Sequence, residues 1–212
     1  MKLFWTPASP FTRKVVVVAQ SLGLWDQIEI MPTTWPLDWG YSTVRFTPGL
    51  AEANPVARIP TLITDDGDEL GDSTLICQHL VSLTSDKTII PDNPWRMWSL
   101  YAIADGILEA QVAMRAEYLR PEADQSEGFL SKQRDRIARC FDAIERRADE
   151  LTITEPNMNL AQITTGIACS YQDWREWLVD FRPDHDQLAA WYEDFSTQPF
   201  IQETEPSETP AA

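Results

Sequence analysis

The sequence is poor in the residues that build metal centres and disulfide frameworks. Among 212 residues there are only two histidines and three cysteines. His79 and His185 have neither metal nor triad spacing, and Cys77, Cys140 and Cys169 are odd in number and far apart. We therefore expect no metal site. Each cysteine lies in an apolar helical context, which favours buried, inert thiols in a reducing cytoplasm.

Positive charge and long apolar runs are also scarce. The chain has 17 Lys and Arg against 33 Asp and Glu, a net charge of −16 at pH 7. Because phosphate binding needs clustered basic side chains, we expect neither nucleic acid nor an anionic membrane as partner. No apolar run reaches the roughly 18 residues of a membrane span, and residues 1–5 run into Thr6-Pro7 without the apolar core of a signal peptide. A cytoplasmic location is the expectation.

What is present is a globular composition, 43% hydrophobic with nine tryptophans, and one informative stretch from Asn54 to Ser73. Residues 61–63 form a short apolar run that predicts a buried strand, and 65–68 predict a tight turn into a second strand at 69–70. Pro60 cannot donate to a sheet ladder. The chain there turns, lies at an edge, or has a cis Ile59-Pro60 bond.

The same stretch predicts a binding site. With a cis bond, Ile59 would present its N–H and C=O to an extended peptide as an added strand. Asp72 and Ser73 stand directly before an apolar periodic segment, where helix caps occur and where free N–H groups favour an anion. Together these features predict a socket for a small peptide-like ligand.

The flanking sequence divides into two patterns. Before residue 84, strands and helices alternate, with Ser9-Pro10 opening the first helix, and strand, helix and strand predict a parallel βαβ unit. After a turn-rich segment, 85–94, only helical periodicity remains. The predicted strands are 2–5 and 26–31; the predicted helices are 11–22, 73–84, 95–120, one from Ser126, one capped by Asn159 and reaching 177, and 185–195. Residues 32–53 are interpreted as an irregular aromatic loop.

Two motifs carry a family resemblance. Asn54-Pro55 with Pro60 and then Asp72-Ser73, and the turn Ser9-Pro10-Phe11-Thr12-Arg13-Lys14-Val15, resemble the glutathione S-transferase family. The bacterial YibF-like branch is also similar at Ala104-Asp105-Gly106-Ile107 and Asn159-Leu160-Ala161. The resemblance runs from Met1 to about Phe200. Many members of the family have an Asp three residues after the helix cap that corresponds to Asn159. This chain has Gln162 at that position.

The resemblance implies an α/β plus all-α fold. A thioredoxin-like glutathione-binding domain would span 1–84, a linker 85–94, an all-helical bundle domain 95–201 and a mobile acidic tail 202–212. It also implies a homodimer, with Asp105 near the cleft between the subunits. Glutathione would be the co-substrate and a small apolar electrophile the second substrate, with no cofactor.

The resemblance assigns the site residue by residue. Ser9 would stabilise the glutathione thiolate, the nucleophile, by a hydrogen bond at a helix start; Ser9 as a plain helix cap is the other interpretation. Because position 9 is Ser and not Cys, thiol–disulfide chemistry is disfavoured. The implied glutathione-binding residues are Ser9, Phe11, Arg58, Ile59, Pro60, Asp72 and Ser73. Arg58 or Arg45 would meet the glycine carboxylate. Apart from the resemblance, the aromatic side chains of Trp35, Trp39 and Phe11 suggest the hypothesis of an apolar electrophile pocket.

Two other interpretations stay open from the sequence. The protein could bind glutathione without transferase turnover, or it could be an interaction protein that has lost the ligand on the same fold, since a fold does not fix a function. The intact Ile59-Pro60 and Asp72-Ser73 pairs argue against the second.

Overall fold

The structure is a computed structural model that describes residues 1–33, 47–153 and 158–208. The chain forms two compact units. One comprises Met1–Ile90 together with the C-terminal residues from Phe200, and the other comprises Pro91–Pro199.

The first unit is built on a mixed four-stranded sheet. Its strands are β1 (Lys2–Trp5), β2 (Glu29–Pro32), β3 (Thr61–Ile63) and β4 (Glu69–Leu70), in the order β2-β1-β3-β4. β1 and β2 are parallel, as the βαβ pattern predicts, and β3 is antiparallel to both β1 and β4. β2 begins later and is shorter than the strand predicted over 26–31, because Trp25–Gln27 form a 3₁₀ turn before it.

Three helices accompany this sheet. They are α1 (Pro10–Ser21), α2 (Leu50–Ala53) and α3 (Ser73–Ser82). The β-branched run Val15–Val18 is helical and almost fully buried in α1. The aromatic loop predicted over 32–53 lies largely outside the described residues, including Trp35, Trp39 and Arg45; its last part is a correction, because Leu50–Ala53 are the helix α2.

The second unit contains only helices among its described residues. They are α4 (Trp95–Tyr118), α5 (Glu127–Glu145), α6 (Leu160–Trp174) and α7 (Asp186–Ser196), with 3₁₀ turns at Glu122–Asp124, Ala148–Leu151 and Arg182–Asp184. α4 packs against both α5 and α6. The helix predicted to start at Ser126 ends at Glu145, and Ala148–Leu151 follow as a separate 3₁₀ turn.

Asn159 and Gln162 cap the start of α6. Asn159 Oδ1 accepts from the N–H groups of Ala161 and Gln162, and Gln162 Oε1 accepts from the Asn159 N–H at 2.8 Å. Gln162 Nε2 also donates to the carbonyl oxygens of Leu151 and Thr152. The longer side chain therefore completes a reciprocal capping box and ties it to the preceding turn.

The three cysteines differ in their burial. Cys77 and Cys169 are buried, and burial raises the pKa of the Cys169 thiol well above its ordinary value. The expectation of a buried thiol was wrong for Cys140, which is half-buried, although its partial burial still raises the pKa of the thiol. The segment predicted as a mobile tail includes the end of a short helix, α8 (Pro199–Gln202), and Thr204 accepts a hydrogen bond from Arg13; its mobility stays a prediction.

Candidate glutathione site

The sheet topology gathers the predicted site segments at one edge of the first unit. β1 ends at Trp5 and leads to Ser9, β3 begins after Pro60, and β4 ends before Asp72. Because β3 is antiparallel to β1 and to β4, the end of β1, the start of β3 and the end of β4 lie at the same edge. Ser9, predicted from one motif, and Pro60 and Asp72, predicted from the other, thus belong to neighbouring segments.

Ser9 caps α1. Its Oγ accepts a hydrogen bond from the Thr12 N–H at 3.2 Å, and its carbonyl accepts from the Arg13 N–H at 2.9 Å. Because Oγ is the acceptor in the capping bond, the hydroxyl proton is free to be donated elsewhere. The side chain is half-buried. Capping and donation to a ligand are therefore compatible in this geometry, and the two interpretations of Ser9 do not exclude each other.

Phe11 is the second residue of α1. It is half-buried, and the Lys14 ammonium lies 5.6 Å from the centroid of its ring. Lys14 itself is completely buried, and an ammonium over a ring face is stabilised by the ring's negative face. The ring is thus fixed on one side and partly open to solvent.

Asp72 caps α3 with a carboxylate. Its Oδ1 accepts from the Thr74 N–H at 2.7 Å and from the Leu75 N–H at 3.2 Å. Asp72 is exposed, whereas Ser73 is buried at 6% exposure. The start of α3 thus presents a solvent-facing negative charge at the positive end of a helix dipole, which suits a ligand that carries both a cation and an anion.

Between these caps, the Asn54 loop, residues 54–60, is held by a side-chain clamp that the sequence motif alone did not reveal. Asn54 Nδ2 donates to Thr61 Oγ1 at 2.9 Å and to the Arg58 carbonyl at 3.3 Å, and Thr61 Oγ1 donates to that same carbonyl at 2.7 Å. Asn54 Oδ1 accepts from the Val56 N–H. The loop backbone is thereby fixed from inside.

Gly71 completes the clamp. A Cβ atom at this position would lie 2.8 Å from Asn54 Nδ2 and 2.9 Å from its Cγ. The Asn54 amide therefore packs directly on the backbone that precedes Asp72. The Asn54 loop and the start of α3, the two segments expected to share a ligand, are thus positioned by one buried side chain.

The Ile59-Pro60 bond is cis. Pro60 is buried and Ile59 is half-buried, with its side chain against the cluster of Phe4, Leu50 and Ala53. Among the residues that the structure describes, neither the N–H nor the C=O of Ile59 has a hydrogen-bond partner. Arg58 is exposed, so its guanidinium can reach solvent beside this backbone.

The predicted dimer-cleft residue lies in the other unit. Asp105 is half-buried on α4 and accepts a hydrogen bond from the Tyr101 hydroxyl one turn earlier, at 3.3 Å. Its role at a subunit cleft stays a prediction.

Comparison with known proteins decides the family. The family model described as "Glutathione S-transferase, N-terminal domain" matches residues 3–88. A glutathione transferase family member from Pseudomonas fluorescens Pf-5, solved with bound glutathione, is 34% identical, with 97% of this chain and 98% of that chain covered and a TM-score of 0.88. The chain belongs to the glutathione S-transferase family.

Two other relatives agree with this placement. A structure of a Pseudomonas fluorescens Pf-5 family member with bound S-(propanoic acid)-glutathione is 32% identical, covers 98% of this chain and 100% of that one, and has a TM-score of 0.83. The "Uncharacterized GST-like protein YibF" of Escherichia coli K12 is 29% identical over 210 residues, 97% of this chain and 98% of that protein. The α/β plus all-α fold implied by the resemblance is confirmed.

Nowhere in residues 1–33, 47–153 or 158–208 do three His, Cys, Asp or Glu side chains gather as ligands for a metal ion. Of the helices described, none combines the length and the hydropathy of a membrane span.

Proposed function

We propose that the protein is a glutathione transferase in which Ser9 stabilises the thiolate of bound glutathione for attack on a small apolar electrophile. The observation that carries the proposal is the Ser9 hydroxyl, which accepts the capping hydrogen bond from Thr12 and so keeps its own proton for a ligand. A donated hydrogen bond favours the charged form of a thiol and lowers its pKa. The thiol proton leaves to solvent. The sulfur then forms a bond to the electrophilic carbon while the bond from that carbon to its leaving group breaks, and the leaving group departs with the electron pair.

The remaining ligand contacts follow the two halves of the site. The Ile59 N–H and C=O pair with the cysteinyl backbone of glutathione as an added strand. The Asp72 carboxylate meets the α-ammonium of the γ-glutamyl group, and the Ser73 hydroxyl with the α3 N–H groups meets its α-carboxylate. Phe11 and Pro60 form apolar walls, and Arg58 binds the glycine carboxylate. The Pseudomonas family members solved with glutathione and a glutathione conjugate support this ligand class.

The wider setting belongs to the same proposal. The protein works as a cytoplasmic homodimer with Asp105 near the cleft between subunits, and it needs no cofactor beyond glutathione as co-substrate. Its strongly acidic surface charge keeps nucleic acids and anionic membranes away.

Glutathione binding is tested with Asp72→Asn. Asn caps a helix about as well as Asp, so the variant keeps α3 capped while it removes the charge that meets the α-ammonium. Saturating reduced glutathione, at about 100 times Kd, stabilises a binding protein by roughly 2.7 kcal/mol, which for a chain of this size is a Tm increase of about 5–10 °C. We expect this increase in the wild type and little of it in the variant.

The control is Asp26→Asn, which makes the same charge change at an exposed site of the same unit and should keep the full glutathione-induced increase. An unchanged wild-type Tm at millimolar glutathione would contradict the proposal and favour the interaction-protein alternative.

Turnover is tested at Ser9. Loss of a hydrogen bond to a charged group corresponds to roughly 1.5–3 kcal/mol, so Ser9→Ala should lower kcat/KM about 10- to 100-fold with glutathione binding largely kept. Ser9→Thr retains the hydroxyl and should recover most of the activity. If the wild type binds glutathione but conjugates none of a panel of electrophiles, the protein is a glutathione binder without transferase activity.

A further inference from the structure

Arg13 is a buried cation in the first turns of α1. Its side chain and backbone together are only 5% exposed, and its N–H donates to the carbonyl of Ser9 at 2.9 Å, which closes the helical turn that Ser9 caps. A buried guanidinium is costly unless acceptors surround it. The acceptors that compensate Arg13 therefore also restrain the turn that carries Ser9.

Two of those acceptors come from the far end of the chain. Arg13 Nη2 donates to the Ile201 carbonyl at 2.8 Å, and Arg13 Nε donates to Thr204 Oγ1 at 3.2 Å. The Thr204 hydroxyl donates its own proton to the Phe200 carbonyl at 2.8 Å, with a longer contact to Ile201. Its lone pairs are thereby directed to Arg13, and the interaction has a defined donor and acceptor at each step.

The C-terminal contact is also packed. Ile201 is buried at 3% exposure, and the segment from Phe200 belongs to the same compact unit as α1. Hydrogen bonds from a charged donor are shorter and stronger than neutral ones. The segment 200–204 thus accepts two hydrogen bonds from the Arg13 guanidinium. The backbone N–H of the same residue bonds the Ser9 carbonyl in the first turn of α1.

We propose that Arg13 is a positioning residue for Ser9, held in place by the C-terminal segment 200–204. The inference rests on the proposed function of Ser9 and extends it, because it assigns residues about 190 positions away in the sequence to the same thiolate-stabilising geometry. When the Thr204 acceptor is lost, Arg13 shifts, the first turn of α1 loosens, and the Ser9 hydroxyl no longer meets the sulfur at its best distance.

The test uses a pair of substitutions at Thr204. Thr204→Val keeps the shape of the side chain and removes the acceptor, whereas Thr204→Ser keeps the hydroxyl and removes the methyl group. Thr197→Val is the matched control, because Thr197 is exposed and its hydroxyl donates to the nearby Asp194 carbonyl. Arg13→Lys is the second variant if Thr204→Val folds poorly, since it keeps the charge and loses the two-point contact.

The first readout is a pH titration of the thiolate absorbance of bound glutathione, which needs no electrophile. We expect Thr204→Val to shift the midpoint of the titration upward by about 0.5–1 pH unit. At a given pH this is a three- to tenfold smaller ratio of thiolate to thiol. Thr204→Ser and Thr197→Val should titrate like the wild type. A lower Tm with an unmoved titration would make the contact purely structural and overturn the inference.

The second readout does not depend on glutathione. Amide hydrogen exchange at Thr12 and Arg13, whose N–H groups bond Ser9, should become about tenfold faster in Thr204→Val. Exchange at Thr74 and Leu75, bonded to Asp72, should not change. Unaltered exchange at Thr12 and Arg13 would contradict the positioning role. Selectively faster exchange in Thr204→Val, together with no glutathione binding by the wild type, would contradict only the proposed function.

Discussion

Gly71 is the residue on which the geometry of the Asn54 loop depends most directly. Gly71→Ala would place a methyl group within 3.0 Å of three atoms of the Asn54 amide. Asn54 cannot retreat without losing its bonds to Thr61 and to the Arg58 carbonyl. We expect Gly71→Ala to cost about 1–3 kcal/mol of unfolding free energy, as other overpacked sites do, and to abolish most of the glutathione-induced Tm increase.

Gly128→Ala is the matched control, because an added Cβ there meets no atom within 4 Å and the position is helical. Its unfolding free energy should stay the same or rise by up to ~1 kcal/mol. Denaturant unfolding gives the free energies, and thermal melting with and without glutathione gives the ligand effect. If Gly71→Ala behaved like Gly128→Ala in both measurements, the clamp would not position the site.

At the scale of single elements, the close approach of α6 and α7 depends on a missing side chain. A Cβ at Gly166 would lie 2.2–2.4 Å from three ring carbons of Phe195, which is fully buried. The ring has no room to move, so Gly166→Ala should destabilise the second unit by roughly 1–3 kcal/mol or more. Chemical unfolding measures this cost. The control is Gly106→Ala in α4, where an added Cβ would meet no atom within 4 Å.

A double mutant decides whether the cost comes from that ring. Phe195→Leu shortens the side chain opposite Gly166 and leaves space for a methyl group. Gly166→Ala should therefore cost less in the Phe195→Leu background than in the wild type, a coupling that residues in contact show and distant residues do not. Equal costs in both backgrounds would place the strain elsewhere.

Element boundaries also show what sequence reasoning can and cannot predict. Helices that begin at a polar cap were predicted within one or two residues, because capping by Ser9, Asp72, Ser126 and Asn159 is local chemistry written in adjacent residues. α2 and α8 were not predicted as helices, because four residues are too short for a periodic pattern to emerge.

The candidate site divides in the same way. Ser9, Pro60 and Asp72 could be singled out because turns, caps and proline leave local signals. The Asn54 clamp needs Gly71, seventeen positions later, and the Arg13 contact needs Ile201 and Thr204. Such contacts follow from the fold, and no pattern in a single sequence encodes them.

For the molecule as a whole, the excess of carboxylates makes the response to acid the most informative property. With 33 acidic and 17 basic side chains, about half of the carboxylates cannot be paired one to one with a cation. Glu150 is an exception: Arg147 and Arg96 both donate to it, and these hydrogen bonds lower its pKa to about 2. Arg147 also donates to Ser99 and to the Arg96 carbonyl, so Glu150 helps to join the start of α4 to the turn Ala148–Leu151.

The sign of the pH effect follows from that lowered pKa. Glu150 titrates near its ordinary value of 4.5 in the unfolded chain and near 2 in the folded one, so its ionised form stabilises the fold at all pH values above about 4.5. This contribution is lost progressively as the pH falls from 4.5 toward 2. In Glu150→Gln the contribution is absent throughout, and the Tm difference between wild type and variant should therefore be largest above pH 5 and shrink toward zero near pH 2.

The comparison between the two proteins isolates Glu150 from the other carboxylates, which titrate in both. Glu122→Gln, a change at an exposed glutamate, is the control and should track the wild type across the whole range. The measurement is thermal melting at half-unit steps from pH 6 to the lowest pH at which the fold persists. A Tm difference that stayed constant between pH 5 and pH 3 would mean that the Glu150 carboxylate is not held by Arg147 and Arg96, and that these elements are joined by packing alone.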